Sequence, residues 1–377
     1  MDPSSPMRIL LGSDCYVPRL GGIEVQAHAL ARHLVAAGHD VEVVTPTPGP
    51  HEVDGIRVHR IDEPLLPPFD IPWTRTTFRK TRRLLERGNY DVAHFHGGVL
   101  SPFAFGSAHI AQAVGVPCVV TSHCVWNRSA HVFRLLDRAF HWGDWPIVIS
   151  AVSDLAASEI RLAAGADREV LVIPNGIDVE DWRVEPTNHH DETVVFVSVM
   201  RLARRKRPAA LVKMVRDVKR RVPDVPFTVR IVGEGMQRRH LEREIARLGV
   251  ENEVELCGRL EHDAIKAAYA AADVYVAPAN LESFGLAALE ARCAGLPVIA
   301  KAQTGIREFV EHGREGLLAA SDRQMVDAMV RMLREPELRA KIAAHNQTTR
   351  PQSWADVLVL NLDAYRQAQA LVRGRPE

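Results

Sequence analysis

The sequence predicts an α/β protein built as two doubly wound, parallel-sheet domains. Three observations lead there. Short β-branched runs alternate with helix-period stretches from end to end. The chain has 377 residues, too many for one compact core and about right for two domains. The alternation is interrupted once, by the polar, proline-bearing stretch Glu185-Pro-Thr-Asn-His-His-Asp-Glu192.

In the first series, Met7–Leu11, Val41–Thr45, Asp91–His96, Pro117–Thr121 and Pro146–Ala151 are apolar on both faces, as strands covered on both sides must be. Ile23–Ala37 carries alanine and leucine on one helical face, and Gly38 stops it. Trp73–Arg87 reads as a helix with six cations and one glutamate, and with Phe78, Leu84 and Leu85 on its other side. It is either a solvated face or a peripheral contact with anionic lipid. Val172-Ile-Pro-Asn-Gly-Ile-Asp178 closes this series. The second series is Val194–Val199, Phe227–Val232, Val254–Leu256, Val274–Ala277, Pro297–Ala300 and Gly316–Ala319, followed by the long helical stretch Trp354–Val372. The expected domains are residues 1–183 and 192–350, with 351–377 as a C-terminal helix.

Composition removes several function classes. Lys plus Arg and Asp plus Glu are both 47, so no basic excess points to nucleic acid. No apolar run reaches the roughly 18 residues of a membrane span, and the first residues lack the apolar core of a signal peptide. Five cysteines without C-x-x-C spacing read as reduced thiols, and a cytoplasmic protein is expected.

Three loops could carry chemistry, each directly after a strand. Pro18-Arg-Leu-Gly-Gly-Ile-Glu24 opens the first helix, where Gly21 and Gly22 either bring backbone amides to an anion or simply turn the chain. Its spacing is not the G-x-G-x-x-G of dinucleotide-binding dehydrogenases. Met200-Arg-Leu-Ala-Arg-Arg-Lys-Arg207 places five cations at the carboxyl end of a parallel strand. Cations opening a helix oppose its dipole, so an anionic partner explains them better than solvation does; Arg201 and Lys206 can converge on one diphosphate. Glu282-Ser-Phe-Gly-Leu-Ala-Ala-Leu-Glu290 is expected to begin a helix near Phe284, whose free amides would bind phosphate and whose Glu290 could bind a ribose. A helix capped by Ser283 is the plainer alternative. His94, His96 and His123 end strands, with His94 and His96 on one face; a third metal ligand is not evident, and no metal site is expected.

Taken together, the R-x4-K loop, the E-S-F-G-x4-E segment, the Pro-Asn-Gly-Ile-Asp178 connector and the N-terminal Gly-Gly loop resemble the retaining family 4 glycosyltransferases of GT-B fold, over nearly the whole chain. Ser13–Glu24 and Val172–Asp178 are also similar to the phosphatidylinositol N-acetylglucosaminyltransferase and phosphatidylinositol mannosyltransferase branches. The resemblance implies two Rossmann-like domains facing across a cleft, the first binding acceptor and the second a nucleotide sugar, with the C-terminal helix crossing back to the first domain. It implies transfer with retention from a UDP- or GDP-linked sugar to a hydroxyl of a small-molecule, glycan or lipid-linked acceptor.

Carried over to this chain, Arg201 and Lys206 would neutralise the leaving diphosphate, Glu282 would hold the sugar hydroxyls and Glu290 the ribose. Ser283, Phe284, Gly285 and Leu286 would offer amides to phosphate and sugar, and Gly233, Gly258 and Arg259 would line the nucleotide site. His123, in Thr121-Ser-His123, matches the family's histidine near the reacting sugar. The pattern's glycines beside the cation pair are Met200 and Arg207 here, which leaves the shape of that loop open. Without an Asp-x-Asp motif, neither a metal nor any other cofactor is expected. The rival readings are a nucleotide-sugar epimerase on the same scaffold and a non-catalytic sugar-binding or membrane-surface module.

Overall fold

Both strand series form sheets, and each sheet reverses its winding once. The computed structural model describes residues 5–19, 21–66, 71–72, 74–99, 101–126, 129–165, 167–187 and 193–374. Two compact units divide the chain, Met1–Gly176 with Trp354–Glu377, and Ile177–Ser353.

The first unit contains β1 (Arg8–Ser13), α1 (Gly22–Ala36), β2 (Asp40–Thr45), β3 (Glu52–Val53), β4 (Ile56–Arg60), β5 (Leu65–Leu66), β6 (Ile71–Pro72), α2 (Arg75–Arg87), β7 (Val92–Gly97), α3 (Pro102–Ala113), β8 (Cys118–Ser122), α4 (Ser129–Phe140), β9 (Val148–Ala151), α5 (Asp154–Ala164) and β10 (Leu171–Val172). Its main sheet has the order β10-β9-β8-β7-β1-β2-β4-β3, parallel except for β3. The winding reverses between β1 and β7. β1 pairs with both β2 and β7, and both faces of the sheet are covered: Ile9 and Leu11 are buried in one core cluster and Leu10 in another. The β3–β4 hairpin adds to the expected strands; it turns on Asp54-Gly55, both at positive φ, the two-residue geometry that D-G favours.

The second unit contains α6 (Val179–Trp182), β11 (Val194–Val199), α7 (Pro208–Arg221), β12 (Phe227–Val232), α8 (Arg238–Leu248), β13 (Val254–Gly258), α9 (His262–Ala270), β14 (Val274–Ala277), α10 (Leu286–Cys293), β15 (Val298–Lys301), β16 (Gly316–Ala319), α11 (Asp322–Arg334) and α12 (Pro336–Thr348). Its sheet is wholly parallel, in the order β13-β12-β11-β14-β15-β16. The winding reverses between β11 and β14. Phe196, Leu211, Val215, Ile231 and Met329 are fully buried in its core.

Two boundaries differ from expectation. The first unit ends at Gly176, not at 183, because Trp182 of α6 is buried against His262 and Tyr269 of the second unit. The return to the first unit comes at Trp354 instead of 351. There the last helix, α13 (Trp354–Arg373), buries Trp354, Val357, Ala364, Tyr365 and Ala368, and Trp354 stacks on His33 of α1. Of the expected linker, residues 188–192 lie outside the described residues, as do Trp73 and Leu20 of the segments singled out above.

Candidate active site

In open α/β sheets, ligands bind at the carboxyl ends of the strands where the winding reverses. In the second unit that point lies between β11 and β14, and the basic loop follows β11 while the glutamate segment follows β14. The two loops meet. Lys206 Nζ pairs with the Glu282 carboxylate, 76 residues away in sequence.

The basic loop does not open the helix, as its sequence suggests. Arg204–Lys206 form a 3-10 turn, Arg207 takes a left-handed conformation (φ 60°), and α7 begins only at Pro208, whose fixed φ suits a first helical position. Lys206 and Arg207 take different partners. The Arg207 guanidinium donates to Pro278 O at 3.1 Å, to Asn280 Oδ1 at 2.8 Å and to both carboxylate oxygens of Asp322. These bonds, with Lys301 donating to Asp322 at 2.6 Å, hold Asp322 down at about 2. Lys301 is almost fully buried, so its ammonium depends on that carboxylate. Neither Lys301 nor Asp322 stands out in the sequence, because nothing in the spacing links them to residue 207. Arg201 is exposed just past the end of β11.

The loops after β11 and β12 run side by side. Met200 N bonds Val232 O at 2.9 Å, and Leu202 N bonds Glu234 O at 2.9 Å. At Gly233 (φ 134°) a Cβ would sit 1.9 Å from Met200 O, so the approach requires glycine. Gly233 N bonds Gly258 O at 2.7 Å, which adds the loop after β13 to the same wall. Arg259 at its edge is exposed and lies 3.6 Å from Glu261.

The glutamate segment departs from its expected boundary. The helix starts at Leu286, two residues past Phe284, with Gly285 (φ 97°) as its N-cap. Gly305 N bonds Glu282 O at 2.8 Å, and a Cβ on Gly305 would meet Ser283 O at 1.9 Å. This close backbone contact shapes the turn that presents Ser283, Phe284, Gly285 and Leu286. Glu290 lies on α10 with its carboxyl enclosed; the Tyr269 hydroxyl reaches it at 3.5 Å, and burial pushes that carboxyl up to about 7.

In the first unit, α1 begins at Gly22, and Gly21 precedes it in extended backbone with the Glu24 carboxylate folded close. Arg19 lies 3.3 Å from that carboxylate. Asp14, a residue with no motif of its own, crosses the reversal point of the sheet. It accepts from Phe103 N at 3.2 Å and Ala104 N at 3.3 Å, capping α3 from the β1 loop. His94 and His96 share a face, as their alternation suggests, and His123 joins them. The His94 and His96 rings are 4.1 Å apart, and His96 Nδ1 is 3.0 Å from His123 Nε2. Among the described residues no group of three metal-ligating side chains is arranged to hold an ion.

Two doubly wound parallel sheets, each reversing its winding once, are the architecture of the GT-B fold. Residues 20–181 match the description Glycosyltransferase Family 4, and residues 179–349 match Glycosyl transferases group 1. The chain belongs to that family: a family 4 domain followed by a group 1 domain. Similar proteins include a phosphatidylinositol N-acetylglucosaminyltransferase component of Arabidopsis thaliana, 24% identical over 93% of this chain and 80% of that one. D-inositol 3-phosphate glycosyltransferase of Pseudarthrobacter chlorophenolicus is 28% identical, over 92% and 90%. Phosphatidyl-myo-inositol mannosyltransferase of Mycobacterium tuberculosis is 29% identical, over 89% and 90%. Among solved structures, an Anabaena protein in complex with UDP and glucose superimposes with a TM-score of 0.72 at 19% identity, over 97% of this chain and 98% of that one. That likeness concerns the fold.

Proposed function

We propose that this glycosyltransferase moves a sugar from a nucleotide-diphosphate donor to a cyclitol hydroxyl, free or lipid-linked, with retention at the anomeric carbon and without a metal. The observation that carries the reading is the Lys206–Glu282 pair at the reversal point of the second sheet. A lysine held by a carboxylate is a cation whose partner changes when the donor arrives. Lys206, with Arg201, then neutralises the diphosphate as it leaves, which places fixed positive charge where negative charge develops. Glu282 turns to the sugar hydroxyls and Glu290 to the ribose.

The amides of Ser283, Phe284, Gly285 and Leu286 serve phosphate and sugar, and the Gly233, Gly258 and Arg259 loops line the nucleotide. In the first unit, His123 is the group for the reacting sugar, and Gly21 and Gly22 offer amides to an anionic group. The cyclitol acceptor is supported by the inositol-bearing names of the similar proteins. Built-in cations make a bridging metal unnecessary, so no cofactor beyond the donor is required.

The test incubates the chain with UDP-, GDP- and ADP-sugars and inositol, inositol phosphate or phosphatidylinositol, and reads the product's anomeric coupling by NMR. Retained configuration, unchanged by excess chelator, supports the proposal; an inverted product or a strict Mg²⁺ requirement contradicts it.

A further inference from the structure

His123 does not stand alone; it ends a buried chain of polar groups that begins on the last helix. Tyr365 of α13 bonds His94 Nδ1 through its hydroxyl at 2.9 Å, and His94 Nε2 lies 2.6 Å from Thr121 Oγ1, which in turn lies 2.6 Å from Ser150 Oγ. Both ring nitrogens of His94 are therefore used. Its ring packs 4.1 Å from that of His96. His96 is 3% exposed and makes one ring hydrogen bond, Nδ1 to His123 Nε2 at 3.0 Å, while its Nε2 is buried without a partner among the described residues. The His123 ring has the Asn175 side chain as a further partner.

We infer that His96 is a positioning residue that donates Nδ1–H to His123 Nε2 and so fixes His123 as its Nδ1–H tautomer. The inference rests on the reading of His123 as the group for the reacting sugar.

A neutral imidazole carries one hydrogen, and the bond made by one nitrogen dictates the state of the other. With its hydrogen on Nε2, His96 would bury an unpaired N–H, the kind of orphan that folded proteins rarely tolerate. With it on Nδ1, the ring donates to His123 and leaves a bare lone pair inside, which is tolerated more readily. Nε2 of His123 is then an acceptor already occupied, and the His123 hydrogen sits on Nδ1. Burial keeps the rings neutral, pushing His94 down to about 3 and His123 to about 4, and His96 well below its usual value. Fixed this way, His123 has one hydrogen to give, from Nδ1, to the Asn175 side chain or to a substrate oxygen that replaces it, and no lone pair left with which to accept a proton. It orients and polarises a hydroxyl; it does not act as general base.

Long-range ¹H–¹⁵N spectra of the full ¹⁵N-labelled chain read the tautomer directly. A pyrrole-type Nδ1 and pyridine-type Nε2 on His123 are expected; the opposite pattern in the wild type overturns the inference. In His96→Leu the pattern should become mixed and kcat should fall on the order of tenfold to hundredfold with the donor KM unchanged, the scale of a misplaced reacting group. His96→Asn, which keeps an N–H donor close to the Nδ1 position, should restore both. An unchanged His123 tautomer in His96→Leu overturns the positioning role. Full turnover in His123→Ala would instead remove the reading of His123, whatever the spectra show.

Discussion

Glu290 carries a carboxyl that burial raises from 4.5 to about 7; if it meets the donor's ribose as proposed, donor binding depends on protons. The folded-state value lies above the unfolded one. The group's contribution to stability is thus complete below 4.5 and is lost as pH rises through about 7. A ribose that donates its hydroxyls favours the ionised carboxylate, so binding of the nucleotide sugar that the chain accepts (its diphosphate does not titrate near about 6) should release a proton one unit below the Glu290 value, and little one unit above it. Calorimetry in two buffers of different ionisation heat measures the release; Glu290→Gln should abolish it. Equal heats in both buffers below that value would contradict the ribose role. At this scale the sequence displays residue types and spacing but not burial. Lys206 and Glu282 are recognisable because each follows a strand, yet their pairing needs the β11–β14 adjacency. The protonation of Glu290, the Arg207–Asp322–Lys301 cluster and the Asp14 cap all depend on neighbours far away in the chain, so no local pattern announces them.

Among the elements, α2 shows how much a pattern can reveal. Its expected stripe is real: Thr77, Thr81 and Leu85 are buried, Phe78 and Leu84 are half-buried, and Arg75, Arg79, Lys80, Arg82, Arg83 and Arg87 face outward. Lys80 is held by Glu63 at 2.9 Å and Arg82 by Glu86 at 2.8 Å. Lys80, Arg83 and Arg87 line a groove of about 400 Å³ with His51, His59 and Arg60, a size and charge suited to an anionic headgroup. If α2 contacts a membrane, each cation near the surface contributes about 1 kcal/mol, screened by salt. Sedimentation with phosphatidylserine-containing vesicles should show binding at low salt, reduced at high salt and in Arg79→Ala/Arg83→Ala/Arg87→Ala. No binding at low salt would leave α2 a solvated face and favour a soluble acceptor. Strands and long helices are legible because their periods are strong. The loops between them are less so: the 3-10 turn at Arg204–Lys206 and the late start of α10 depend on the left-handed Arg207 and Gly285, which periodicity does not register. The Asp54-Gly55 hairpin does carry a local signal, the D-G pair, but its first strand is two residues long, too short to show a period.

For the whole molecule, the labour divides between two sheets of the same construction. In the proposed account the second holds the donor by cations and amides at its reversal point, and the first carries the histidine cluster. The central claim is that Lys206 meets the donor diphosphate. Thermal unfolding with UDP, GDP and ADP tests it most directly, because a ligand at a hundred times its dissociation constant stabilises by about 2.7 kcal/mol. At least one of the three should raise the stability of the wild type by that amount without added metal. In Lys206→Ala the ligand-induced rise should largely vanish at the same concentration, and comparing increments removes the variant's own change in stability. An undiminished rise in Lys206→Ala would contradict the claim and move the diphosphate elsewhere.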